Sequence, residues 1–152
     1  MTQRSAHHDT FTIERVYAAP PAKVFAAWAN PVFKRKWFGG PDEWTRSPHR
    51  LDFKVGGRES LSGGPAEGPL HRYEATYHDI VVDQRIVSTY DMYLDDARIS
   101  VSLATVEISP SGTGSKLIYT EQGVFLDGYD DAGSRERGTR ELLDKLDVAL
   151  RA

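Results

Sequence analysis

The sequence predicts an α+β fold in which a curved antiparallel β-sheet wraps around one long C-terminal helix. Between residues 43 and 125 the chain is a succession of segments in which apolar and polar residues alternate, as in strands with one buried face. Residues 134–151 instead carry leucines at helical spacing. A sheet of this length curls, and this helix is the one amphipathic element long enough to cover its inner face.

The N-terminal part of the chain predicts one strand followed by two short helices. Residues 1–10 are polar and are expected to be disordered, whereas residues 11–17 alternate and predict an edge or near-edge strand. Residues 21–29 predict a helix that begins at a proline, a favourable first residue, with Val24, Phe25 and Trp28 along one stripe. Residues 32–38 predict a second short helix, which ends at Gly39-Gly40-Pro41.

The rest of the sheet is predicted from about six alternating segments, namely residues 51–55, 58–62, 71–80, 85–93, 98–108 and 116–125. The pair Gly56-Gly57 indicates a turn or bulge between the first two of these strands. The segments that join the strands are too short to be domain linkers, so the chain is expected to form one domain over residues 1–152.

The last helix changes character along its length. Leu142, Leu143, Leu146 and Leu150 form an apolar face at its C-terminal end, while the earlier turns present Gly138 and other small or polar groups. Glycine inside a helix costs roughly 1 kcal/mol relative to alanine. Gly138 therefore indicates either a helix that leaves open space beneath it or a close approach to another backbone, and the sequence leaves both open.

Composition and charge exclude several classes of protein. The net charge of −3 is too small to indicate a surface for nucleic acid or anionic membranes. No apolar run reaches the 18 residues of a membrane span, and residues 1–10 lack the apolar core of a secretory signal. The chain has no cysteine, so disulfides and thiolate chemistry are excluded, and a cytoplasmic location is the default expectation.

Four stretches, in this order and spacing, resemble the START-like (SRPBCC) superfamily: residues 11–28 (FTIERVYAAPPAKVFAAW), 36–41 (KWFGGP), 52–58 (DFKVGGR) and 112–125 (GTGSKLIYTEQGVF). Within it, they are most similar to single-domain bacterial proteins related to the C-terminal domain of the activator of Hsp90 ATPase. The resemblance implies a single START-like domain with the helix-grip fold and a deep, mostly apolar cavity between sheet and helix. Members often carry a glycine-tryptophan pair at the start of the last helix. Gly138-Thr139 stands near that place here, which implies a smaller and more polar wall.

Aromatic and apolar side chains on the predicted inner surface are the candidate ligand-binding residues, because a small apolar ligand needs apolar walls with a few polar groups. Any one of these rings, taken alone, is more simply explained as filling the core, and it is the set that indicates a cavity. The candidates are Phe25, Trp28, Trp37, Phe53, Leu61, His71, Tyr73, Tyr77, Tyr90, Met92, Leu103, Tyr119, Glu121, Phe125, Gly138 and Leu142.

Few residues in the sequence indicate catalysis. Glu121 shares strand parity with Leu117 and Tyr119. If this face points inward, Glu121 is a buried carboxylate that needs a partner such as Arg15, and its role is structural or acid-base. If not, it is an outward-facing residue. His71 is the one histidine on the predicted cavity face. No zinc motif, nucleophile elbow or phosphate-binding loop is present, so no catalytic residue, metal or cofactor is assigned.

Three functions remain open at this stage. Binding of a small hydrophobic or aromatic molecule without catalysis is favoured, since no catalytic constellation is recognisable. A polyketide cyclase or aromatase would use the same cavity, with His71, Tyr77 or Glu121 moving protons. A chaperone co-regulator of the Hsp90 type is disfavoured, because the eukaryotic activators carry an additional N-terminal domain. The expected partner is a small hydrophobic ligand, without nucleic acid or membrane insertion, and a homodimer is left open.

Overall fold

The computed structural model describes residues 3–152, in which eight strands form one antiparallel sheet. The elements in chain order are β1 (Ala6–Tyr17), α1 (Pro21–Ala29), α2 (Pro31–Lys34), β2 (Thr45–Arg46), β3 (Arg50–Leu51), β4 (Arg58–Gly64), β5 (His71–Val81), β6 (Arg85–Leu94), β7 (Ala97–Ser111), β8 (Gly114–Leu126) and α3 (Ala132–Arg151). The strand order is β1-β8-β7-β6-β5-β4-β2, with β3 paired to β4. The predicted α+β fold, with a long C-terminal helix and short helices after the first strand, is confirmed.

Strand β1 lies at one edge of the sheet and is longer than predicted. It pairs with β8 along its whole length, from Ala6 opposite Leu126 to Tyr17 opposite Ser115. The expectation of disorder for residues 1–10 is therefore wrong for residues 6–10, while Met1 and Thr2 lie outside the described residues. Residues 6–10 are all exposed, so backbone pairing rather than apolar burial holds them, and they carry no alternating pattern.

Helix α2 is shorter than the predicted 32–38. The Asn30 side chain accepts a hydrogen bond from the Phe33 amide at 3.1 Å and so caps its start. After Lys34 two hydrogen bonds have the tighter three-residue spacing, from the Lys36 amide to the Phe33 carbonyl and from the Trp37 amide to the Lys34 carbonyl. The Trp37 indole then donates to the Ala27 carbonyl at 2.9 Å, which fixes this turn against α1.

The strand predicted at residues 51–55 is reduced to Arg50–Leu51, because residues 52–57 turn back on themselves. The Gly57 amide donates to the Lys54 carbonyl at 2.8 Å. A Cβ atom at Gly57 would overlap the Asp52 carbonyl oxygen, so the turn requires glycine at this position.

The two halves of α3 have different surroundings. Asp131 caps its start by accepting from the Ser134 amide at 2.8 Å. The C-terminal half is held by two bonds to its backbone, from the Tyr17 hydroxyl to the Leu143 carbonyl and from Lys23 Nζ to the Leu150 carbonyl. Its leucine face is buried, whereas the turns around Gly138 border open space. Within residues 3–152, no helix combines the length and the apolar character that a membrane crossing requires.

Candidate ligand-binding cavity

A cavity of about 590 Å³ lies where the N-terminal half of α3 diverges from the inner face of the sheet. Its wall is mostly apolar and aromatic. The aromatic side chains come from three sources, α1 and the turn after α2, the loop before β2, and strands β5, β6 and β8: they are Trp28, Trp37, Phe38, Trp44, Tyr73, Tyr77, Tyr90 and Tyr119. This size and lining are typical of sites that hold small molecules.

Most of the candidate residues lie on the wall of this cavity. They are Trp28, Trp37, Leu61, His71, Tyr73, Tyr77, Tyr90, Met92, Tyr119, Gly138 and Leu142. Strand parity identified the inner face of β5 correctly, because Tyr73, Ala75 and Tyr77 all face the interior.

The other candidates do not line the cavity. Phe25 and Phe53 pack edge to face with ring centres 5.6 Å apart, so they fill the core. Leu103 is 36% exposed and lies on the outer face, because its neighbours Ser102 and Ala104 are the inward residues of β7. Glu121 and Phe125 are buried but do not form part of the wall. In front of Glu121 the wall is formed by Tyr90 and Tyr119, whose hydroxyls donate to it.

Glu121 is the centre of a buried polar cluster at the end of the cavity near the start of α3. It is 1% exposed. Its Oε2 atom accepts hydrogen bonds from Tyr90 at 2.7 Å, Ser102 at 2.8 Å and Arg135 at 3.1 Å, and its Oε1 atom accepts from Tyr119 at 2.7 Å. Burial raises the pKa of both tyrosines, and the Glu121 charge raises it further, so both remain neutral donors.

The predicted pairing of Glu121 with Arg15 is wrong. Arg15 instead contacts Asp144 on α3, with 3.2 Å between Nη2 and Oδ1. The partner of Glu121 is Arg135, which also donates to Asp130 at 3.2 Å. Burial by itself lowers the pKa of Arg135, but Tyr90, Glu121 and Asp130 outweigh it and raise the pKa, so the guanidinium stays charged.

A second buried cluster, which the sequence analysis missed, surrounds Glu59. Its Oε1 atom accepts from Lys34 Nζ at 2.7 Å and from the Tyr77 hydroxyl at 2.6 Å, and its Oε2 atom lies 2.7 Å from His49 Nε2. Burial alone would raise the pKa of Glu59, but the Lys34 ammonium and the hydrogen bonds from His49, Lys34 and Tyr77 lower it to about 2. One signal was available, since Glu59 shares strand parity with Leu61, a predicted wall residue.

The mouth of the cavity is formed by the loop before β2, the start of β5 and α3. The indole of Trp44 stacks on the His71 ring with centres 4.7 Å apart, and Lys145 Nζ donates to the Gly40 carbonyl at 3.4 Å. Partial burial lowers the pKa of His71 and favours its neutral form, against the charges of Asp130 and Asp95. The loop residues were missed because nothing in their sequence shows that the loop folds over the sheet.

Gly138 borders open space. An added Cβ atom would meet nothing within 4 Å outside its own helix, and the residue lies on the cavity wall. Of the two alternatives left by the sequence, the structure therefore supports open space and not close backbone packing. Within residues 3–152, no three or more His, Asp or Glu side chains are grouped so that they could hold a metal ion.

Comparison with known proteins places these features in a family. The family described as "Activator of Hsp90 ATPase homolog 1-like protein" matches residues 18–151. The solved structure of an uncharacterised Rhizobium leguminosarum protein is 47% identical over 99% of both chains, with a TM-score of 0.94. A Rhizobium loti protein is 46% identical, over 95% of this chain and 99% of its own, with a TM-score of 0.89. A Chromobacterium violaceum protein, 24% identical over 94% and 97% of the two chains, shares the fold with a TM-score of 0.79. No curated protein gives a significant match.

Proposed function

Because the chain belongs to the family of activator of Hsp90 ATPase homolog 1-like proteins, we propose that it binds a small hydrophobic or aromatic molecule in the cavity beneath α3. The observation that carries this proposal is the cavity itself, about 590 Å³ in volume and walled mainly by aromatic side chains. Such a space exposes apolar surface to water until a ligand fills it, and burial of that surface favours binding.

The cyclase or aromatase alternative draws some support from the convergence of titratable groups around the cavity. In both clusters, however, the carboxylate oxygens are already hydrogen-bonded to groups of the protein. Glu121 accepts four hydrogen bonds, and Glu59 accepts from Lys34 and Tyr77 and is bonded to His49. The partners of Glu59 lower its pKa to about 2, so it is a weak base and carries no proton to donate near neutral pH, while both oxygens of Glu121 are already occupied by hydrogen-bond donors. The arrangement therefore favours binding without catalysis.

The third alternative, a chaperone co-regulator that acts through its surface, would need a contiguous exposed apolar patch. The exposed large apolar side chains are distributed over many elements and loops of the described chain rather than grouped on one element: they are Val16, Val32, Val55, Leu70, Val82, Leu103, Tyr129 and Val148. This distribution gives the surface-acting alternative no specific support.

The proposal can be tested with prodan, an uncharged naphthalene dye whose emission increases and shifts to the blue in apolar sites. We expect saturable binding to the wild-type protein and weaker binding to Gly138→Leu, because the new side chain occupies part of the cavity. Gly138→Ala is the matched control, since it changes the same position but adds only one carbon atom. Absence of saturable binding to the wild type, or equal binding to all three proteins, would contradict the proposal.

The natural ligand can be sought in parallel by mass spectrometry of small molecules released from natively purified protein. A compound that copurifies with the wild type and with Gly138→Ala, but is depleted from Gly138→Leu, would be assigned to the cavity. A compound that copurifies equally with all three proteins would be bound elsewhere.

A further inference from the structure

Four tyrosines line the cavity, and one of them differs from the others in its hydrogen bonding. The hydroxyls of Tyr77, Tyr90 and Tyr119 each donate to a buried glutamate at 2.6 or 2.7 Å. The Tyr73 hydroxyl forms no hydrogen bond with any of residues 3–152, although its ring is part of the same wall. A partly buried hydroxyl without a protein partner is a group that a ligand can use.

Tyr73 is held in place by its ring. The ring centre lies 5.1 Å from that of Phe38 and 4.9 Å from that of Tyr90. Burial raises the pKa of Tyr73 well above its usual range, and the charges of Glu59 and Glu121 act in the same direction. The hydroxyl is therefore kept neutral and retains a proton to donate to an acceptor.

The charged groups around the deep part of the cavity are already paired. Lys34 lies 2.7 Å from Glu59, and Arg135 lies 3.1 Å from Glu121. An ionised ligand entering this region would lose its hydration without gaining a free counter-charge, and that loss is costly. The deep part of the cavity consequently disfavours carboxylates and amines.

Another donor close to the cavity also lacks an acceptor, but a ligand cannot reach it. The indole Nε1 of Trp28 is buried and has no hydrogen-bond partner among the described residues. Although the Trp28 ring lines the same cavity as Tyr73, its nitrogen has no surface open to the cavity, so it is the Tyr73 hydroxyl that matches an acceptor oxygen of a ligand.

We propose that the ligand is an uncharged, largely aromatic or apolar molecule with an acceptor oxygen such as a carbonyl, and that the Tyr73 hydroxyl donates a hydrogen bond to that oxygen. This inference rests on the proposed function, since it specifies what the cavity binds. It assigns Tyr73 as the residue that distinguishes an oxygenated ligand from a hydrocarbon of the same shape.

The test uses three naphthalene probes of similar shape: 2-acetylnaphthalene, 2-isopropylnaphthalene and the anion 2-naphthoate. Affinities are measured by NMR titration, following the indole signals of Trp28 and Trp37. We expect the wild type to bind the ketone about five- to tenfold more tightly than the hydrocarbon, the range that one net hydrogen bond supplies. The anion should bind more weakly than the ketone.

The variant Tyr73→Phe should bind the ketone about five- to tenfold more weakly than the wild type does, with hydrocarbon affinity within twofold. Its folding should be unaffected, because the removed hydroxyl has no protein partner. Tyr129→Phe, at an exposed tyrosine outside the cavity wall, is the matched control and should leave all three affinities unchanged.

The outcomes separate this inference from the proposed function. If the wild type and Tyr73→Phe each bind hydrocarbon and ketone equally, or if the anion binds most tightly, the inference is overturned and the cavity remains a binding site. If no probe shifts the indole signals of the wild type, while prodan also fails to bind, the proposed function falls as well.

Discussion

At the scale of single residues, Glu59 holds a negative charge inside the protein and depends on three neighbours to do so. Its side chain is fully buried, and those of Lys34 and His49 are almost fully buried. Such a cluster resembles a buried salt bridge, in which the desolvation of both charges offsets much of their attraction. Removal of one partner is far more costly than replacement of the whole cluster, because the other charge is left buried and unpaired.

We therefore expect Glu59→Gln to lower the free energy of unfolding by about 3–5 kcal/mol, as measured by urea denaturation. Glu74→Gln is the matched control, because Glu74 lies on the adjacent strand β5 with a side chain 49% exposed, and its change should be within about 0.5 kcal/mol. The double variant Lys34→Met/Glu59→Gln should recover part of the loss. Equal effects of Glu59→Gln and Glu74→Gln would contradict the assignment of a buried ion pair.

Glu59 also predicts a pH dependence. Its folded-state pKa of about 2 lies below its ordinary value of 4.5, so its contribution to stability is present above pH 4.5 and is lost as the pH falls towards 2. Between pH 5.5 and pH 3 the free energy of unfolding of the wild type should fall by about 2 kcal/mol more than that of Glu59→Gln. Parallel pH profiles of the two proteins would show that Glu59 has an ordinary pKa.

Residue-level inference from the sequence succeeded where strand parity decides and failed where three-dimensional proximity decides. Parity placed Tyr77 on the inner face correctly, whereas for Glu121, which is buried, it left the inward and outward alternatives open. It could not identify Arg135 as the partner of Glu121, because that contact depends on how α3 crosses the sheet. Lys34 was missed for the same reason, since its counter-ion is supplied by a distant strand.

At the scale of elements, the C-terminal half of α3 is a structural unit whose centre is Leu146. This side chain is 0% exposed. Leu146→Ala should therefore lower the free energy of unfolding by about 2–5 kcal/mol in chemical denaturation, through lost burial and the cavity that remains. Val148→Ala, two residues along the same helix at 69% exposure, should change it by less than about 0.5 kcal/mol. A loss below about 1 kcal/mol for Leu146→Ala would contradict this packing of the helix.

A substitution in the N-terminal half of α3 is expected to raise the free energy of unfolding rather than lower it. Gly138→Leu replaces a poor helix former with a good one and places the new side chain in open space. The better helix propensity should raise the free energy of unfolding by somewhat under 1 kcal/mol, and burial of the leucine against the cavity wall should add about 1–2 kcal/mol. Thermal and urea denaturation should both show a stabilised protein. Destabilisation by about 1–3 kcal/mol would instead indicate overpacking, and thus a closed space beneath the helix.

The elements themselves could be predicted well where apolar residues repeat with a clear period. The long strands β5 to β8 and helix α3 were found within a few residues of their observed bounds because each buries one face. The start of β1 and the end of α2 were not predicted correctly. Residues 6–10 are exposed and held only by backbone pairing, and a tightened turn ends α2 at Lys34. Neither leaves a periodic trace in the sequence.

At the scale of the whole molecule, the fold combines a packed region and an unfilled one. The buried leucines of α3, with β1 and α1, form the packed end, and the cavity lies at the other end between two paired charge clusters. These clusters fix the orientation of the wall side chains without a ligand, because a buried carboxylate accepts a hydrogen bond from each of three tyrosines, Tyr77, Tyr90 and Tyr119. The shape of the site is thus set before binding, which reduces the entropic cost of complex formation.

A preformed cavity of this kind links ligand binding to the stability of the entire domain. A probe that binds only the folded state adds RT ln(1 + [L]/Kd) to the free energy of unfolding, about 2.7 kcal/mol at a hundredfold excess over Kd. For a domain of this size, 2-acetylnaphthalene at that concentration should raise Tm by about 5–10 °C, measured by differential scanning calorimetry. Gly138→Leu at the same probe concentration should show a smaller rise from a higher starting Tm, because leucine and probe compete for one volume. Equal rises in wild type and variant would place the probe outside the cavity beneath α3.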